Sequence, residues 1–262
     1  RGNTNSSKSY TPFIMKGGTI SDNETNFTGG GVYVGEGTTF TMEGGTISNN
    51  KSATVGPNRS GGGGGVYAYG SFTMTGGEIS GNNCDSGDYF YGGGVYVDSS
   101  RDTVLTVSGN VKITGNTQSS GSDSTASNVY LPSGKTITIG GELTGGDKSI
   151  GVTTSTVPTE KRPVTIATAG TDYTVKDPDK NKFNSDKDGY EIKYNESSKT
   201  LVLKTAGSDP QPGKVDAGVK ITAENANDPA PTEVVYGDTF KLGATLKTTG
   251  TAGSPQSNKW TW

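Results

Sequence analysis

The side chains able to do chemistry are few in kind, and a repeat places them. Tyr33, Tyr67, Tyr96 and Tyr130 occupy the same place in four related segments, GGGVYV, GGGVYA, GGGVYV and SNVYLP. Rings that recur once per repeat can stack in a column. Turned outward, such a column offers an aromatic strip to sugar rings or to a partner's apolar surface. The segment NNCDSGDYFY (82–91) adds Tyr89 and Tyr91 beside two acids, a second contact patch. These six tyrosines are the candidate ligand-binding residues.

Candidates for catalysis are weaker. There is no histidine, which excludes imidazole bases, histidine triads and most zinc sites. Polysaccharide cleavage needs paired carboxylates, or calcium-binding acids with a basic residue. Glu43, Glu78 and Glu142 occupy nearby but different turn positions. Asp98, Arg101 and Asp102 in VDSSRDT form the densest charged cluster, and it reads as a solvated turn with a surface ion pair. The stretch NSDKDGYEI (184–192) resembles the start of a calcium loop. Its apolar residue, Ile192, comes one place late, and Asn195 stands where a closing Glu belongs. Cys84 is the single cysteine, so no intrachain disulfide forms, and no basic cluster adjoins it to lower its pKa. The expectation is a non-enzymatic chain with no catalytic residue, no metal site and no cofactor.

The elements that position the tyrosines follow from the repeat. F-T-M (40–42 and 72–74), L-T-V (105–107) and I-T-I (137–139) alternate apolar and polar residues, with F-I-M (13–15) as a looser first copy. Each is followed by a G-G-x-I-S-x-N unit: GGTISDN (17–23), GGTISNN (44–50), GGEISGN (76–82) and the degraded GNVKITGN (109–116). A variable loop comes next, then the V-Y-V segment. Period-2 alternation over three to five residues is a strand signal. Three short strands cannot bury a face alone, but stacked coils can, each pairing in parallel with the next. The predicted fold is an all-β, right-handed parallel β-helix (a solenoid), with handedness taken from the rule for parallel crossovers. Ile20, Ile47, Ile79 and Ile113 should form one buried column, and Val32, Val66, Val95 and Val129 another. Asn23, Asn50, Asn82 and Asn116 should form a structural ladder at a corner. Thr41, Thr73, Thr106 and Thr138 should form an outward column.

At these residues the chain resembles bacterial surface β-helix repeat proteins of the polymorphic outer-membrane protein type. GGGVY (29–33, 63–67, 92–96) and I-S-x-N (20–23, 47–50, 79–82) are the counterparts of that family's two repeat motifs, with Ile in place of Phe. It is also similar to glycine-rich repeats of large secreted proteins of Firmicutes. The resemblance covers about residues 10–150. It implies a cell-surface or secreted protein, often adhesive, and no reaction.

Composition agrees with a thin shared core. Leu, Ile, Val and Phe together make up under a fifth of the 262 residues, while glycine alone contributes 42. A net charge of −3 does not force the chain open and argues against a nucleic-acid partner. No apolar run reaches the roughly 20 residues of a membrane span, so no membrane insertion is expected in this segment. Residues 1–150 read as β-helix repeats and 151–206 as last coils with a capping hairpin at 190–204. Residues 207–214 read as a linker. Residues 215–262, with VVYGDTFKLGATL, look like part of a bacterial Ig-like domain. The chain therefore reads as a monomeric piece of a longer polypeptide, extracellular or at the cell surface. Its functional reading is an adhesin or structural spacer whose partner is a host or cell-surface glycan or protein. The alternative is a carbohydrate-binding or polysaccharide-degrading β-helix protein.

Overall fold

The structure, a computed structural model, describes residues 11–53, 62–85, 91–100 and 102–207. Tyr89, Arg101, nearly all of the 207–214 linker and the Ig-like segment 215–262 lie outside them. The described chain is all-β apart from a short 3-10 helix, Asp177–Lys182. It winds as a β-solenoid of about four turns, with parallel pairing from coil to coil.

The F-x-M strands stack in register through Phe13, Phe40, Phe72, Leu105, Ile137 and Ala167. Their middle residues align Thr41, Thr73, Thr106 and Thr138, all half-buried. The second ladder runs Ile20, Ile47, Ile79, Ile113, Ile150 and Phe183. The third runs Val32, Val66, Val95, Val129 and Val152. Inward residues of all three meet in one core, whose middle layers are closed to solvent. Both expected columns are therefore present. Beyond the last recognisable motif the first gains Ile150 and Phe183 and the second gains Val152, while the first-coil members Ile20 and Val32 are only half-buried.

A fourth ladder was not expected. The variable segments each open with a short strand: Glu24–Thr25, Lys51–Ser52, Asn83–Asp85 and Thr117–Ser120, paired in parallel. The insertions thus leave from one corner, as solenoid insertions do. Asp123–Ala126 then returns antiparallel on Thr117–Ser120. That hairpin raises the chain by one layer.

The corner between the second and fourth ladders explains why I-S-x-N and GGG occur together. The x residue is Asp22, Asn49, Gly81 or Gly115, and all four have φ between 55° and 69°. This left-handed conformation is open to Gly and, among other residues, most readily to Asn and Asp. It turns the following asparagine inward. The third glycine of each GGG passes over the asparagine of the next coil. A Cβ on Gly65 would lie 3.0 Å from Asn82 Nδ2, and one on Gly94 would lie 2.8 Å from Asn116 Nδ2.

The strand Ile150–Thr154 serves two ladders at once, since Ile150 pairs with Ile113 and Val152 with Val129. It crosses the 150/151 division drawn from sequence. The F-x-M ladder ends differently. Val164–Ala169 pairs antiparallel with Thr200–Thr205, which pairs antiparallel with Tyr190–Asn195. The Asn195 side chain accepts from the N–H groups of Ser197 and Ser198, fixing the turn between them.

Candidate binding surface

The four repeat tyrosines stack as the spacing requires. Ring centroids lie 5.5 Å apart for Tyr33–Tyr67, 5.1 Å for Tyr67–Tyr96 and 5.5 Å for Tyr96–Tyr130, with nearly parallel planes. Tyr91 extends the column, its ring 4.3 Å from that of Tyr130. Exposure is unequal, however. Tyr33 is 54% exposed, whereas Tyr67 and Tyr130 retain 8% and 7%, and Tyr96 is half-buried. The column points away from the apolar core yet is not an open strip along its length. Its accessible ring is Tyr33, in the first coil.

Burial sets the chemistry of these phenols. It pushes the Tyr130 hydroxyl up to about 12 and Tyr67 higher still, Tyr67 also through its hydrogen bond to the Asp98 carboxylate. Tyr96 and Tyr33 are raised too, with burial the largest cause in both. None of the four serves as a phenolate at neutral pH.

Asp98 belongs to a polar cluster beside this column. Burial alone would raise its carboxyl, but hydrogen bonds from Ser100 and Tyr67 and the Lys135 charge bring it below the usual range. Its Oδ1 accepts the Ser100 N–H at 2.7 Å. The Lys135 ammonium, from the next coil, donates to the Ser100 and Thr103 carbonyls. Asp98 and Ser100 of the expected solvated turn thus take part in a clamp between coils, while Asp102 is exposed and Arg101 lies outside the described residues. Lys135 carried no motif to mark it.

Two of the three glutamates singled out from the sequence are in ion pairs, and the third, Glu142, is exposed. Glu78 and Lys112, register partners on adjacent strands, lie 3.0 Å apart, and Glu43 is 4.0 Å from Lys16. In the calcium-like stretch, Asp186 accepts from Asn128 and Thr153. Nearby Asp179 accepts from Tyr173 and the Lys176 N–H. Among the described residues, no three Cys, Asp or Glu side chains converge on a common point. Cys84 is buried in the fourth ladder, level with Ser52 and Gln118.

One cleft adjoins the end of the tyrosine column. It encloses about 380 Å³, within the roughly 300–1,000 Å³ of small-molecule sites. Its walls include Tyr91, Gln118, Thr125, Asp186, Lys187 and Asp188. An aromatic ring with an amide, a hydroxyl and charged groups around it suits a polyhydroxylated ligand. Of these residues the sequence singled out Tyr91 as a contact residue. The others come together because the 117–126 hairpin and the turn after Phe183–Ser185 end in the same layer.

The asparagine ladder passes beside this cleft. Asn23 Nδ2 donates to Asn50 Oδ1, Asn50 to Asn82, Asn82 to Asn116 and Asn116 to Asn128, at 2.8–3.0 Å. Each asparagine's backbone N–H donates to the same acceptor. Asn128 donates both groups to the carboxylate of Asp186. Burial raises the Asp186 carboxyl, and the bonds from Asn128 and Thr153 hold it back.

Among the described residues, no helix is long and apolar enough to cross a membrane. Compared with family models, curated proteins and solved structures, the chain matches none.

Proposed function

We propose that this chain is a non-enzymatic structural element of a cell-surface or secreted protein: an adhesin segment or a spacer holding a binding domain. The observation that carries this reading is the unbroken asparagine column, in which every layer is hydrogen-bonded to the next. Such a column makes coil-to-coil register rigid, as a spacer requires. In this reading the solenoid is right-handed, the 190–205 hairpin caps it, and the 215–262 segment begins an Ig-like module of a bacterial surface protein.

A second reading, carbohydrate binding or cleavage, draws on the cleft beside Tyr91 and Asp186. A glycan array with product analysis on the whole protein separates non-enzymatic roles from polysaccharide cleavage. Binding without cleavage fits an adhesin, and no binding fits a spacer. Released oligosaccharides would overturn the leading reading.

A further inference from the structure

The first and second coils differ sharply in how their edges are covered. Phe13 is 56% exposed, while Phe40, one layer on in the same column, is 2% exposed. Tyr33 and Tyr67 differ in the same way. Ile14, level with the half-buried Thr41, is also open. Among the described residues, the strands Phe13–Met15, Thr19–Ser21, Glu24–Thr25 and Val32–Val34 each pair on one side only, with the second coil. Among these residues, four ladders therefore present an unpaired edge at one end of the solenoid, a ready template for strand addition.

The asparagine ladder gives this edge a chemical polarity. Every Oδ1 from Asn50 to Asn128 accepts two donors from the coil on its N-terminal side. Asn23 donates in the same direction, and no donor among the described residues reaches its Oδ1. The edge thus ends in an acceptor. It is complemented by a layer that brings an asparagine N–H and Nδ2 above Asn23.

A second copy of this chain does not supply that layer. Two such edges face to face would oppose acceptor to acceptor. Head-to-tail stacking would bring up the far end, where the column finishes on the Asp186 carboxylate, which when ionised has no hydrogen to donate. The F-x-M ladder there has already turned antiparallel. The closest successive repeat asparagines, Asn23 and Asn50, are 27 residues apart, which sets the length of chain one coil needs. Connectivity points to the source. In later coils the V-Y-V strand leads directly into the F-x-M strand of the next layer, as Val32–Val34 leads into Thr39–Met42. By the same connectivity, a coil preceding Phe13–Met15 would feed that strand from the uncovered side.

We propose that this edge seats one more coil of the same repeat, carried N-terminal to Phe13 in the same polypeptide, its asparagine donating to Asn23 Oδ1. The inference holds whether the solenoid is a spacer or binds a glycan.

The test fuses a copy of residues 39–68 ahead of Arg1, leaving residues 1–12 as the connection. Amide exchange is followed across Phe13–Val34. First-coil amides not already bonded to the second coil should exchange at least about tenfold more slowly than in the unextended chain. In a control fusion, the copy's asparagine equivalent to Asn50 is replaced by Asp, which presents acceptor to acceptor and should lose most of that protection. Phe13→Ser should change exchange in the unextended chain less than about twofold, and in the extended chain about tenfold. An added coil that leaves Phe13–Val34 unprotected, while residues 39–205 keep their own protection, overturns the proposal. So does concentration-dependent dimerisation of the unextended chain that protects the same strands. Protection of the unextended edge that vanishes on deleting residues 1–10 overturns it as well.

Discussion

Asn128 and Asp186, 58 residues apart in sequence, are joined by two hydrogen bonds. The Asn128 amide donates to Oδ1 at 2.6 Å and its backbone N–H to Oδ2 at 2.7 Å. All the side-chain amides of the ladder point the same way, so their positive ends lead toward this carboxylate. It accepts what a sixth asparagine could accept only with one oxygen. Asp186→Leu would leave the Asn128 and Thr153 donors unmet and should cost roughly 2–3 kcal/mol. Asp186→Asn keeps one acceptor and should cost about half as much. Urea-denaturation midpoints at unchanged m-value measure both.

The same residue has a pH signature. Burial raises its folded-state carboxyl above the ordinary 3.8, so the native state binds this proton more tightly than the unfolded chain. Between 3.8 and the folded value, stability from Asp186 therefore falls as pH rises and is recovered on acidification. Wild type should gain stability relative to Asp186→Asn as pH is lowered from neutrality toward 4. Paired denaturation curves at several pH values check the sign. A difference that stays flat or shrinks would mean the carboxyl is not raised.

The glycine–asparagine coupling predicts a contrast between glycines. A Cβ at Gly94 would lie 2.6 Å from the Asn128 carbonyl and 2.8 Å from Asn116 Nδ2, neither of which can retreat without breaking the ladder. Gly94→Ala should destabilise by roughly 1–3 kcal/mol. A Cβ on Gly146 meets nothing within 4 Å, so Gly146→Ala should fall within about 0.5 kcal/mol of wild type. Ile79, closed to solvent between Ile47 and Ile113, gives a scale for the core. Ile79→Ala should cost about 2–5 kcal/mol.

These sites mark what the sequence made readable. Phe40, Ile79 and Val95 repeat with their neighbours, so their columns could be assigned from spacing alone. Asn128 follows Asn116 by only 12 residues, because the 117–126 hairpin climbs a layer without making a coil. No repeat period marks it. Asp186 lies in a stretch whose acids suggested calcium, and its role depends on Gly151 leaving room: a Cβ there would sit 2.2 Å from Asp186 Oδ1. Tyrosine burial was also hidden. Alternation fixes which way a ring points from the core but not what lies over it. The cleft draws on residues from four separate segments, around Tyr91, 118–126, Thr153 and 186–188, so no local motif announces it.

The last prediction separates the tyrosines by role. Tyr67 and Tyr130 are buried, and folding keeps both protonated beyond the ordinary 10. The stability they gain this way is fully present below pH 10. It is lost as pH rises through 10 toward about 12, where the unfolded chain ionises and the folded one resists. Tyrosinate absorbance should thus appear in two stages, exposed phenols first and the buried ones together with loss of β-structure by circular dichroism. Tyr67→Phe removes only the hydroxyl that donates to Asp98 and should cost about 1–2 kcal/mol, since the acceptor is charged and partly buried. Tyr67→Ser also removes a ring stacked on two neighbours and should lower the melting temperature much further. Tyr33→Ser, at the exposed end, should barely move it. If Tyr33→Ser or Tyr91→Ser abolishes glycan binding by the whole protein while melting is preserved, those rings are contact residues. If every substitution shifts only the melting temperature, the column is scaffold from end to end.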